Sequence, residues 1–305
     1  MSSNLAILIS LTIVQIPSFF CAIQILRFGQ RNNPLTRLPN HLLVCLLIVS
    51  LYAIAIDLPF TQAFLWLGFV PIQTSSMCTF YNISFSTMSG LNRALMAFMS
   101  LERHFLVFRP QLYHTFRSRV LYHYIPLIIT ILAVVLYFIP TTIFVSCSTA
   151  SYDYTRFMCG YTCAVRVPSF ILILVWLYVF LPTAIITVAS ILLPIRFVIQ
   201  KRTLQRLEWN RTRKMIIHTS VISGAYILCW LPFSIILQLS VNGITSFNDY
   251  NISQFLIYGP YLTPLLTPFI VQQTIPGWAN HQMLHIVKKY LFPARQTTVQ
   301  PENVQ

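Results

Sequence analysis

Charge is scarce in this chain, and negative charge scarcest of all: 9% of its 305 residues are charged and only six are acidic. A soluble domain carries roughly a quarter charged residues, so that class is excluded. The 56% hydrophobic content and mean hydropathy of +0.69 point instead to a membrane protein. No Lys or Arg precedes the first apolar run, which is longer than the core of a cleaved signal, so it is expected to stay in the mature protein. The seven histidines are scattered, with no His-Glu-x-x-His or comparable constellation. An enzyme needs a nucleophile with its base, or a metal cluster, so no enzymatic activity and no cofactor are expected. His281 and His285 stand at i, i+4 but lack a third ligand nearby, and no metal site is expected there.

What the chain does hold is a series of apolar runs near 4–26, 41–66, 76–106, 122–145, 168–193, 214–240 and 252–275. Each is long enough to cross a hydrocarbon core of ~30 Å, which takes about 20 helical residues. Inside lipid every backbone polar group must be bonded within the segment, so runs this continuously apolar predict helices. The fold expected is an all-α membrane protein, a seven-transmembrane helix bundle occupying residues 1–292 as one domain. Its last part, 278–292, mixes Met283, Leu284, Ile286 and Val287 with Lys288 and Lys289, the pattern of a short amphipathic helix at the cytoplasmic interface. The polar tail 293–305 is expected to be disordered.

Arg27, Arg31 and Arg37 follow the first run, and Lys and Arg are retained on the cytoplasmic side, which places the amino terminus outside and the carboxyl terminus inside. Apart from Arg93, Arg156 and Arg166, every basic residue then falls in an inside connection or the tail. The net charge of +14 therefore lies against the anionic leaflet of a lipid bilayer and is not a nucleic-acid footprint.

The third span is the most polar, running from Cys78 through Asn82, Ser84, Ser86, Ser89, Asn92 and Arg93 to Glu102-Arg103-His104. It is expected to be the central helix. Arg93 lies ten residues above Arg103, ~15 Å along a helix axis, and bonding to carbonyls or polar groups of neighbouring helices is the role expected of it. Asp57, two residues before Pro59, is either a water-reachable carboxylate at a kink or a polar wall of a ligand cavity. Between the fourth and fifth spans lie Cys147, Cys159 and Cys163, any of which could bridge to Cys78 in an oxidising compartment. Cys21, Cys45 and Cys229 fall inside spans and are expected to pack as small hydrophobes. Cys229-Trp230-Leu231-Pro232 in the sixth span combines a helix-bending proline with a bulky indole.

In this pattern the chain resembles the rhodopsin-like, class A G-protein-coupled receptors over essentially its whole length. Cys78 stands 25 residues before Arg103, matching the family's third-helix cysteine and the arginine of its Asp/Glu-Arg-Tyr motif, here Glu102-Arg103-His104. Cys-Trp-Leu-Pro is the family's sixth-helix motif unaltered, and Pro182 fits its fifth-helix proline. The chain departs from the family in having Thr267-Pro268-Phe269-Ile270-Val271 for Asn-Pro-x-x-Tyr, and Ser50 nine residues before Pro59 where an aspartate is usual. It is thus identified as a divergent member.

The resemblance implies a plasma-membrane receptor in which an extracellular ligand shifts the sixth helix and opens a cytoplasmic cavity for a heterotrimeric G protein. Glu102, Arg103, His104, Trp230, Pro232, Thr267 and Pro268 carry the implied switch and coupling, with Arg103 pairing with Glu102 in the closed state. The disulfide assigned is Cys78 with Cys159, with Cys147 and Cys163 as alternatives. Phe85 occupies the place of the amine receptors' aspartate, which argues against a biogenic amine, and the seventh span has no lysine for a retinal Schiff base. A cavity lined by Asp57, Asn82, Phe85, Ser86 and Ser89, with Trp230, Phe233, Tyr258 and Tyr261, suits a peptide or a small chemosensory ligand. The competing reading is a seven-helix transporter or channel, with Arg93 and Asp57 as pathway charges.

Overall fold

The computed structural model describes residues 2–32, 38–145, 152–160, 167–199, 206–241 and 250–274. Among them lie seven long helices: α1 Ser2–Asn32, α2 38–67, α3 Ser75–Phe108, α4 Phe116–Phe144, α5 168–199, α6 Arg206–Val241 and α7 Tyr250–Thr274. The expected interfacial helix over 278–292 and the tail 293–305 lie outside the described residues, as do Cys147 and Cys163. Among the described residues five helices are long and apolar enough to cross a membrane, over Leu5–Gly29, Asn40–Leu67, Phe116–Phe144, Ser169–Ile199 and Thr219–Leu239. The other two, α3 and α7, are richer in polar residues, and both turn those residues inward. Asn82, Ser84, Thr87, Asn92, Arg93 and Ser100 of α3 are buried, as are Thr263 and Thr267 of α7. A helix covered by its neighbours does not need an apolar surface all round.

Sequence neighbours pack side by side, and α7 returns against α1 and α2, so the helices close into a ring. α3 runs through the middle, touching α2, α4, α5 and α6. It passes close to α4 at Gly90, where a Cβ would come within 2.6 Å of the Phe138 ring and 3.0 Å of Val134. One core cluster lies in the half of the bundle towards Glu102-Arg103, with Ile25, Leu46, Leu47, Met96, Ile186, Tyr226 and Trp230 among its buried members. Cys21, Cys45 and Cys229 pack against it as the sequence predicts.

Three helices widen by a residue per turn ahead of a proline. The wide turns cover Ala53–Asp57 before Pro59, Val120–Tyr124 before Pro126 and Leu174–Phe180 before Pro182. Proline offers no N–H to the carbonyl four residues back and its ring crowds that turn, so the helix opens there. The opened turns leave carbonyls for other helices to bond. Gln15 of α1, for instance, donates to the Ile54 carbonyl at 2.8 Å.

Helix ends follow ordinary local chemistry. Thr74 caps α3 by accepting from the Met77 N–H, and α2 stops at Gly68, whose φ of 78° is the left-handed conformation glycine adopts without strain.

Candidate functional site

Polar side chains gather along α3 at three levels. At the end that carries Glu102-Arg103-His104, both charged residues are buried, Glu102 to 1% and Arg103 to 4% exposure. Glu102 is taken up by Nδ1 of His123, a wholly buried residue in the first wide turn of α4. Around the imidazole stand the rings of Tyr124 at 4.9 Å, His41 at 5.6 Å and Phe98 at 6.5 Å. Nothing among the described residues bonds its Nε2. Tyr113, on the turn Pro110–Tyr113 that follows α3, is buried near Glu102, and desolvation together with that carboxylate pushes its phenol up to about 12. His104 faces α5, where its Nε2–H donates to the Ala189 carbonyl at 2.8 Å.

Ten residues up, Arg93 is buried and reaches two other helices. Its Nε–H donates to the Tyr178 carbonyl of α5 at 2.9 Å, and its guanidinium lies 4.3 Å from the centre of the Trp230 ring of α6. Tyr178 is four residues before Pro182, so Arg93 bonds the carbonyl that the proline leaves unserved. Trp230 is also stacked on Tyr226 at 5.8 Å and meets Phe233 edge-on at 5.6 Å. The carbonyl role foreseen for Arg93 is the one it plays, and the cation–π contact comes in addition. Pro232, inside α6, is exposed, whereas Thr267 and Pro268 are buried in α7, with the Thr267 hydroxyl donating to the Thr263 carbonyl at 2.8 Å.

These contacts set opposing energies on Arg93. A hydrogen bond to a charged group stabilises by about 1.5–3 kcal/mol, and a desolvated cation–π contact adds about 2 kcal/mol. Burying an ion costs several kcal/mol, and no carboxylate pairs with Arg93 among the described residues. The two sides nearly cancel. Arg93→Met is therefore expected to melt at or slightly above the wild-type temperature in detergent. Arg93→Lys is expected to melt below both, since lysine keeps the buried charge without the planar fork. Melting curves showing Met below Lys would make the cation a structural requirement.

The third level lies under the loop 152–160. Asp57 is only 2% exposed and accepts a hydrogen bond from the Ser84 hydroxyl, so it is not a water-reachable carboxylate at a kink. Thr61 Oγ1 sits 2.7 Å from the hydroxyls of both Tyr81 and Tyr261, joining α2, α3 and α7. Asn82 donates to the Met158 carbonyl at 2.9 Å, and Cys78 is disulfide-bonded to Cys159 with 5.9 Å between Cα atoms, so the loop is pinned to α3 twice. Met158 and Cys159, in the turn that carries the bridge, take left-handed φ of 53° and 55°. Outside, Asp153 is held below the usual carboxylate range by the hydroxyl and N–H of Thr155, and it also binds Arg156 at 2.9 Å.

The residues expected to line one cavity divide between two clusters. Phe85 and Tyr258 converge on Phe157 of the loop, whose ring is 6.0 Å from Phe85 and 5.7 Å from Tyr258, and Tyr261 meets the Phe85 ring at 5.6 Å. Trp230 and Phe233 belong to the core cluster towards Glu102-Arg103 with Tyr226. Ser86 and Ser89 are half-buried on α3 between these levels. Phe157, His123 and Tyr178 were not singled out from the sequence. Only Tyr226 carried a usable signal, one turn before Trp230 on the same helix face.

Against this geometry, a family model described as 7 transmembrane receptor (rhodopsin family) matches residues 18–270. No curated protein gives a match.

Proposed function

Because the chain belongs to the rhodopsin family of seven-transmembrane receptors, we propose that it binds an extracellular peptide or small chemosensory ligand and activates a heterotrimeric G protein through movement of α6. It is a multi-pass membrane receptor of a family that is not enzymatic. The proposal adds a plasma-membrane location, an amino terminus outside and a carboxyl terminus in the cytoplasm.

The observation that carries this reading is the buried pair Glu102–His123 beside buried Arg103, at the end of α3 opposite the Cys78–Cys159 bridge. Arg103, buried next to Glu102, is a charged donor that a partner's carbonyls could meet once α6 moves away. Arg93 supplies the link upward. It binds α5 at Tyr178 and α6 at Trp230, so a ligand pressing on the aromatic group around Phe157 can shift the helix that carries Pro232. The transporter reading is less well supported, since Arg93 and Asp57 are both buried against specific partners.

The test is nucleotide exchange in lipid vesicles holding the purified chain and one of several heterotrimeric G proteins, screened with peptide and small-molecule libraries. At least one G protein is expected to exchange faster with the chain present than without it. Solute flux across the same vesicles, with no exchange on any G protein, would favour the transporter.

A further inference from the structure

The outer surface of the bundle carries a groove of about 650 Å³ between α3 and α5, towards the Glu102–Arg103 end. Its size falls in the range of small-molecule sites. Leu101 and Phe105 of α3 form one wall, and Ile185, Val188 and Leu192 of α5 form the other. Several of these are openly exposed, Phe105 to 47% and Val188 to 56%. Apolar surface of this kind on membrane-spanning helices faces lipid.

Each wall ends in a cation. Arg109, the residue that caps α3, comes four residues after Phe105, and Arg196 follows Val188 and Leu192 at four-residue steps along α5. Four residues return to the same helix face. Eight residues advance ~12 Å, so both walls present about that length of apolar surface before a guanidinium. α3 and α5 each run from the loop end of the bundle toward this one, which puts both cations at the same mouth. The Arg196 guanidinium is steadied over the Phe108 ring at 6.0 Å. The floor is fixed by the His104–Ala189 hydrogen bond, and Ala184 and Ala189 leave it open where larger residues would fill it.

We propose that this groove binds an anionic glycerophospholipid, an acyl chain lying along the apolar walls and the headgroup phosphate held by Arg109 and Arg196. Charge complementarity selects the occupant: an apolar slot opening to lipid along its length and closed at the water boundary by two guanidinium groups matches a molecule with a tail and an anionic head. A zwitterionic lipid fits the walls but gains less at the mouth. The proposal rests on the orientation given above only for which leaflet supplies the lipid.

Native mass spectrometry of the detergent-solubilised chain, after incubation with phosphatidylglycerol or phosphatidylcholine of identical chains, reads the site directly. It does not depend on orientation, which labelling of the two termini tests separately. Wild type is expected to retain phosphatidylglycerol preferentially. Arg109→Gln with Arg196→Gln is expected to lose retention about 25-fold, or about fivefold per arginine. Val188→Trp, which fills the slot and leaves both cations, is expected to lose it as well. Arg117→Gln removes an exposed charge outside the groove and should change nothing. Equal retention of the two lipids, or unchanged retention in the double-arginine variant, would overturn the proposal. So would full retention in Val188→Trp, or displacement by glycerol phosphate at the lipid's own concentration, because either means that the headgroup binds without the groove.

Discussion

His123→Leu is expected to lower the melting temperature of the solubilised receptor by roughly 10 °C, and adding Glu102→Leu to it is expected to recover most of that loss. The asymmetry comes from where charge would be stranded. Glu102 is 1% exposed and His123 is fully buried, so neither has water to fall back on. Removing the imidazole leaves a buried carboxylate without its partner, a change that costs about 3–5 kcal/mol in comparable sites. At roughly 2–4 °C per kcal/mol for a chain of this order, that gives the fall quoted. Glu102→Leu alone removes the carboxylate and leaves the imidazole in place. Its Nε2 already lacks a partner among the described residues, so only the Nδ1 bond is lost, about 1–3 kcal/mol. With both replaced by leucine, the site becomes apolar beside Phe98 and Tyr124 and neither member of the pair strands the other; buried Arg103 loses the Glu102 charge, so the recovery is short of complete. Thermal unfolding of the four proteins settles the matter: a double variant no more stable than His123→Leu would mean that the two residues are not one unit.

Arg103→Ala is expected to reach the cell surface at normal levels and to lose G-protein nucleotide exchange by at least tenfold. A charge-assisted hydrogen bond to a partner is worth about 1.5–3 kcal/mol, or about one to two powers of ten in affinity for the coupled state. The side chain is buried in the free receptor, so the substitution removes packing as well as charge. Surface delivery is the control that separates these effects. Arg103→Lys keeps the charge and most of the volume but not the fork, and it should fall between wild type and alanine. Exchange unchanged in Arg103→Ala would end the assignment of this arginine to coupling.

Much of the bundle was legible before any coordinates. A run of apolar residues in lipid has one way to satisfy its backbone, so seven runs meant helices, and the polar content of α3 marked it as central. The bridge from Cys78 was legible as a set of three candidates. The particular partners were not. His123 stands 21 residues from Glu102 along the chain, and nothing in local spacing says that the wide turn of α4 returns to face it. Phe157 lay in a loop without periodicity, and only the pinning of that loop by Cys159 and Asn82 places its ring among Phe85, Tyr81 and Tyr258.

The sequence by itself determined the solvent this protein folds in, the helices that cross it and the family to which they belong, because hydropathy and motif spacing are properties of a single chain segment read in order. Tertiary structure decided which buried charge meets which group: Glu102 with His123, Arg93 with the carbonyl left unserved by Pro182 and with the Trp230 face, and Asp57 with Ser84. The physical reason is that a polar group in a low-dielectric interior must find a partner at hydrogen-bond distance. That distance is fixed by how helices far apart in sequence rotate and approach one another.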